Sequence, residues 1–176
     1  MTFFPTIDRW HISASALRQS MLEMRRDGQC GNEGVALWLG NRGDGEARVE
    51  HLVFLRGRYV EKGPDRLMID SRLMNDVTDV CVELGMSLVG QIHSHGPWAG
   101  VDLSWVDHRY GIKAPYFLSL VAPDYALAPE IAIGECGVHV YEPNLGYRRI
   151  ENEELRGRVH VEDQEVGYSI VGEEAQ

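Results

Sequence analysis

An α/β (α+β) domain, with a mixed β-sheet flanked by helices, is predicted from three observations. Apolar residues recur at helical spacing in two stretches, and apolar runs of strand length lie between and after them. The two kinds interleave in the order helix–strand–strand–helix–strand–helix–strands, which a mixed sheet accommodates. The chain has 176 residues, 44% hydrophobic and 25% charged, proportions that suit a globular unit and exclude disorder, collagen and coiled coil.

The first helix is predicted to start at Ser13, a good N-cap, with Leu17, Met21 and Met24 on one face and Gly28 as its stop. Gly34–Gly40 is an unbroken apolar run that suits a strand buried on both faces. Asn41-Arg42-Gly43-Asp44-Gly45 turns the chain into a second strand over Ala47–Leu55. Arg56–Arg66, polar and broken by Gly57, Gly63 and Pro64, reads as a loop.

A second helix is capped by Ser71 and ended by Gly85, with Leu73, Val77, Val80, Cys81 and Leu84 facing the core. Strands follow at Met86–His93, Tyr116–Ala122, Ile131–Ile133 and Val138–Tyr141, with a short helix at Leu103–Tyr110. The chain divides into a domain over residues 1–150 and an acidic C-terminal extension over 151–176. That extension carries eight acidic residues and reads as an edge hairpin (Val159–Val161 with Tyr168–Val171) or a solvated tail, the acidity favouring the tail.

Charge and cysteines narrow the function. Seventeen basic against 27 acidic residues give a net charge of −10, which repels phosphate backbones and argues against nucleic acid as a partner. No run of apolar residues is long enough for a membrane span. The start, Met1–Pro5, has no basic region followed by an apolar stretch, so the expected location is cytoplasmic. Cys30, Cys81 and Cys136, odd in number and far apart, make neither a disulfide framework nor a thiolate cage.

The chemistry concentrates in Gln91–Trp98 and Leu103–Asp107. In an extended chain His93 and His95 project on the same face. On a helix opened by Ser104, that residue and Asp107 share a face, and the Gly96-Pro97 turn can fold the helix back toward the strand end. Two imidazoles and a carboxylate then converge, the donor set of a catalytic zinc site. His-x-His alone is a weak signal, and Ser-x-x-Asp alone is more often a helix start. Their joint occurrence at this separation arises by chance on the order of one time in a thousand. A hydrolase needs a further carboxylate as general base, and Glu33, at the mouth of the apolar run, is the candidate. Outside this set, His108 and His139 are more simply structural, while Trp98 and Trp105 suit core packing and a groove wall equally.

Glu33-Gly34-Val35-Ala36-Leu37-Trp38-Leu39-Gly40, then His93-Ser94-His95, then Ser104-x-x-Asp107, resembles the JAMM (JAB/MPN) zinc metalloprotease family over roughly Ile7–Tyr141. The resemblance implies the JAB/MPN, cytidine deaminase-like fold and one catalytic zinc ion held by His93, His95 and Asp107. It also implies Glu33 as general acid/base and Ser104 as a hydrogen-bond donor to the oxyanion. The one departure is Gly96, which precedes Pro97 and lengthens the spacer by one residue, an insertion that glycine absorbs. By the same resemblance the expected function is a prokaryotic, deubiquitinase-like isopeptidase acting on the C-terminal tail of a ubiquitin-like protein. Conjugation-pathway proteins are further expected partners, in an antiviral defence setting. The alternatives are an amidase or peptidase trimming a sulfur-carrier protein tail or a small peptide, and a non-catalytic MPN scaffold.

Overall fold

A computed structural model describes residues 5–172. Met1–Phe4 and the acidic Glu173 and Glu174 lie outside the described residues. The elements run β1 (Arg9–Ser13), α1 (Ala14–Gly28), β2 (Val35–Gly43), β3 (Glu46–Leu55), β4 (Val60–Lys62), β5 (Leu67–Ile69), α2 (Ser71–Leu84) and β6 (Ser87–Ser94). They continue α3 (Trp105–Tyr110), β7 (Leu118–Ala122), β8 (Gly137–Glu142), β9 (Gly146–Arg149), α4 (Asn152–Arg158), β10 (Val159–Glu162) and β11 (Gly167–Val171).

Among the described residues nine strands form one mixed sheet, as the element order predicts. Eight lie in the order β10-β1-β3-β2-β6-β7-β8-β9, and β11 pairs with β3 beyond the reach of β1. β2 is antiparallel to both β3 and β6, while β6 and β7 are parallel. β2 is buried on both faces, as its unbroken apolar run predicts. Ala36 and Trp38 join the core under α1, and Val35, Leu37 and Leu39 join the core under α2. Trp38 donates its indole N–H to Ser20 Oγ of α1 at 3.0 Å, so the ring is buried without an orphaned donor. No helix of the described residues is long and apolar enough to cross a membrane.

Several expectations need correction. The segment Ile131–Ile133 is not a strand. A 3-10 turn over Ile133–Glu135 follows it, and the Glu135 carboxylate accepts the Ala132 N–H at 2.7 Å. Asp70, not Ser71, caps α2, accepting the Arg72 N–H at 2.9 Å. Leu84 is exposed, so α2 buries a narrower face than its apolar spacing suggests. The stretch read as a loop contains β4, which pairs with β5 in a two-stranded ribbon.

The two C-terminal strands do not pair as a hairpin. β10 runs parallel to β1 and β11 parallel to β3. Their acidic residues are drawn into the fold by specific partners. Glu162 accepts from His11 at 2.6 Å and also pairs with Arg48, and Glu165 accepts the Ser15 hydroxyl at 2.8 Å. Between β9 and β10, α4 places Glu153 and Glu154 in its first turn and Arg156 and Arg158 in its last, complementing the helix dipole.

Candidate metal centre

β6 lies in the middle of the sheet between β2 and β7, and its C-terminal end carries the motif. His93 is in register with Val35 of β2, which puts its ring on the α2 side. The chain stays extended beyond Ser94, where the His95 N–H donates to the Ala122 carbonyl at 3.0 Å, so both imidazoles project the same way. Ser94, between them, faces the other way and joins the two strand ends. Its hydroxyl accepts the Gly34 N–H at 2.9 Å and its own N–H donates to the Gly34 carbonyl at 3.0 Å. That clamp brings Glu33 to the histidines. The sequence signals Ser94 only as a small polar residue at the alternate position of His-x-His.

Asp107 arrives from α3. Ser104 is the N-cap, and its Oγ accepts the Asp107 N–H at 3.2 Å while the Asp107 carboxylate accepts the Ser104 N–H at 2.7 Å. This reciprocal capping box fixes the carboxylate's direction. The Ser104 hydroxyl also donates to Asp107 Oδ2 at 2.7 Å.

The three predicted ligands meet. His93 Nε2 and His95 Nε2 are 3.2 Å apart, His95 Nε2 lies 3.3 Å from Asp107 Oδ2, and His93 Nε2 lies 3.4 Å from Asp107 Oδ1. All the candidate donor atoms fall within 4.8 Å of one another. The hydrogen bonding fits a cation. His95 Nδ1 is 3.2 Å from the Gly100 carbonyl and donates there, which leaves Nε2 as a lone pair aimed into the cluster. In the neutral imidazole that lone pair faces Asp107 Oδ2, a contact between two acceptors that a cation would relieve. His93 Nδ1 is buried without a partner.

Electrostatics separate the two carboxyl groups. Burial works against the Asp107 charge, but hydrogen bonds from His93 and His95 in their protonated forms, the His93 charge and the Ser104 hydroxyl hold its pKa far below the usual carboxylate range. Burial opposes the charged form of His95, yet the Asp107 carboxylate, the Glu33 charge and the Gly100 carbonyl raise it. Glu33, only 5% exposed, is pushed up to about 7 by burial, with the charges of Asp107 and Asp65 adding to the rise and His95 opposing it.

The Glu33 side of the site is built by the segment after β3. The Glu33 N–H donates to the Gly63 carbonyl at 2.7 Å, and Lys62 pairs with Asp27 at 2.8 Å. Arg56 grips the buried Glu23 of α1 through two bonds of 2.9 Å. Tyr125 completes this wall, its hydroxyl donating to the Pro64 carbonyl at 2.8 Å and its N–H to the His95 carbonyl at 2.7 Å. It sits in a turn with three successive left-handed residues, Asp124, Tyr125 and Ala126, a conformation no sequence pattern announced. Gly96 is explained here. A Cβ at that position would stand 2.7 Å from the Tyr125 hydroxyl, so a larger residue would have to displace the ring, and no left-handed turn is involved.

The remaining residues singled out from the sequence lie outside the cluster. His108 is exposed against Tyr147. His139 is buried in β8, its pKa lowered to about 4 by burial and then by the Arg149 charge. Trp98 and Trp105 are both exposed, which removes core packing as their role.

No model of a known protein family matches the chain. A curated relative, "Probable metalloprotease y4jG" of Sinorhizobium fredii, is 30% identical over 108 residues, 60% of this chain and 65% of that protein's length. Among solved structures, protein DSY2949 from Desulfitobacterium hafniense superimposes with a TM-score of 0.63 at 17% identity, covering 88% of this chain and 94% of that one. A protein from Salinibacter ruber gives a TM-score of 0.55 at 20% identity, with 86% and 90% covered. These two likenesses establish a shared fold.

Proposed function

We propose that the chain is a metal-dependent peptidase whose ion is held by His93, His95 and Asp107. The observation that carries the reading is the meeting of the three donors beside a second, buried carboxyl group poised near neutrality. The S. fredii relative's name supports the same class. Two imidazoles and one carboxylate suit zinc, which when bound supplies Lewis-acid polarisation of a carbonyl and lowers the pKa of water.

The chain's own residues do the rest. Asp107 stays ionised and oriented by the Ser104 cap. Glu33 takes a proton from the attacking water onto its carboxylate and delivers it to the leaving amine nitrogen, and a pKa near 7 suits both transfers. The Ser104 hydroxyl has a single proton, donated here to Asp107 Oδ2, and would turn it toward the developing oxyanion in catalysis.

The finer reading is a zinc isopeptidase acting on the C-terminal tail of a ubiquitin-like protein. It rests on the motif resemblance and on a strand edge near the donors. β5 pairs with β4 alone among the described residues, which leaves an edge that an extended tail can join. The test loads the protein with zinc and offers two substrates, a ubiquitin-like protein with a reporter fused after its tail and short Gly-Gly peptides. Cleavage of the fusion at the tail, lost in Glu33→Gln with zinc content unchanged, is expected. Activity on short peptides alone would replace the isopeptidase reading with that of a small-substrate peptidase. A protein without metal or cleavage would be a scaffold.

A further inference from the structure

A small chamber opens beside the donor cluster. His93, Asp107 and Gln91 line it together with apolar walls from Leu67 and Ile69 of β5, Met74 of α2 and Ile112. Glu33 and His95 do not contribute to its walls, so it is a side chamber off the reaction space. Its volume is about 140 Å³. An apolar cavity of about 150 Å³ takes up a benzene molecule, so the space suits a medium-sized apolar side chain.

Such a chamber is otherwise hard to account for. Val35, Leu37 and Leu39 on the same face of the sheet are fully covered by their neighbours, whereas the Leu67, Ile69, Met74 and Ile112 side chains are only half-buried around it. Apolar surface next to two metal-ligating side chains gains most from an apolar group carried by the molecule being cleaved.

We propose that the chamber is a specificity pocket for an apolar side chain on a residue flanking the scissile bond. The proposal rests on the peptidase reading and sharpens it: a bond flanked by glycine on both sides leaves the chamber empty, so cleavage is favoured next to an apolar residue such as Leu, Ile or Met.

The test uses the zinc-loaded full chain and calorimetric titration with leucine hydroxamate and glycine hydroxamate, which share a chelating head and differ in the side chain. Leucine hydroxamate is expected to bind tighter by roughly 10- to 100-fold, the gain from burying one such side chain. Met74→Trp, which fills the chamber, should remove that advantage and leave glycine hydroxamate binding unchanged. Met74→Ala should shift the preference toward phenylalanine hydroxamate, and mapping cut sites in a peptide mixture by mass spectrometry should show the same shift. Equal affinity for the two hydroxamates, or a leucine preference indifferent to both variants, overturns the pocket and leaves the peptidase reading intact. Failure to hold zinc, or to bind either hydroxamate when zinc is held, overturns the peptidase reading and this inference with it.

Discussion

The two carboxyl groups of the candidate site are both largely shielded from water, and their pKa values are driven in opposite directions. Asp107, at the start of α3, receives two bonds from Ser104 and faces two imidazoles, and its charge is stabilised despite burial. Glu33, at the mouth of β2, has no hydrogen bond or ion pair to its carboxylate among the described residues, and burial raises it to about 7. The difference teaches that the supply of partners, and not depth alone, divides a permanent anion from a proton carrier.

The largest expected effect breaks the Asp107 half. Asp107→Asn keeps the shape and removes the charge. Zinc affinity, read by competition with a chelator, should fall by more than the roughly 100-fold that marks loss of a merely supporting partner, and cleavage should vanish with it. Unchanged affinity would remove Asp107 from the ligand set. Glu33→Gln attacks the other half and should separate the two roles. Turnover is expected to drop about 10²- to 10⁴-fold, the usual worth of a positioned acid/base, with zinc content unaltered.

A third measurement follows the same contrast in metal-free protein as a function of pH. The folded-state pKa of Glu33 lies above its unfolded value, so folding favours the protonated form. Its burial costs nothing below the unfolded value near 4.5, and the cost grows as pH rises toward 7. By pH 8 it should reach about 3 kcal/mol. Urea unfolding should therefore show Glu33→Gln matching the native chain at pH 4.5 and exceeding it by up to that amount at pH 8. Asp107 works in the opposite sense, since its lowered pKa contributes stability that is lost as pH falls. A Glu33→Gln advantage equal at both pH values would show that Glu33 is not the raised group.

Legibility in the sequence followed locality. β2 could be read because its own side chains declare two buried faces, and the convergence of His93 with His95 because strand alternation alone requires it. The Ser104–Asp107 pair posed a choice between helix cap and site, and one arrangement both caps α3 and turns the Asp107 carboxylate to the two imidazoles. What stayed illegible depends on distant partners. β1 has only Trp10 and Ile12 to mark it, and the pairing of β10, whose strand character the sequence does offer, becomes intelligible once His11, about 150 positions earlier, is seen beside Glu162. Parallel pairing across such distances leaves no local pattern. Tyr125 was equally hidden, because a left-handed turn and the Cβ-free faces of Gly96 and Gly28 place it, and none of these has periodicity.

The smallest expected effect concerns Ser104, where the two halves of the site could still exchange roles. If its hydroxyl serves chiefly to orient Asp107, Ser104→Ala removes one cap acceptor and one donor to the carboxylate. Stability should then fall by about 1 kcal/mol and zinc affinity by about 10- to 100-fold. Turnover at saturating zinc should change little. If the hydroxyl instead turns to the oxyanion, turnover at saturating zinc should fall by about 10²- to 10³-fold, the worth of one preorganised donor, whatever happens to affinity. Ser104→Thr restores a hydroxyl at the same position and should recover whichever quantity the alanine lost. Loss of zinc affinity without loss of saturated turnover would assign Ser104 wholly to the Asp107 side of the comparison.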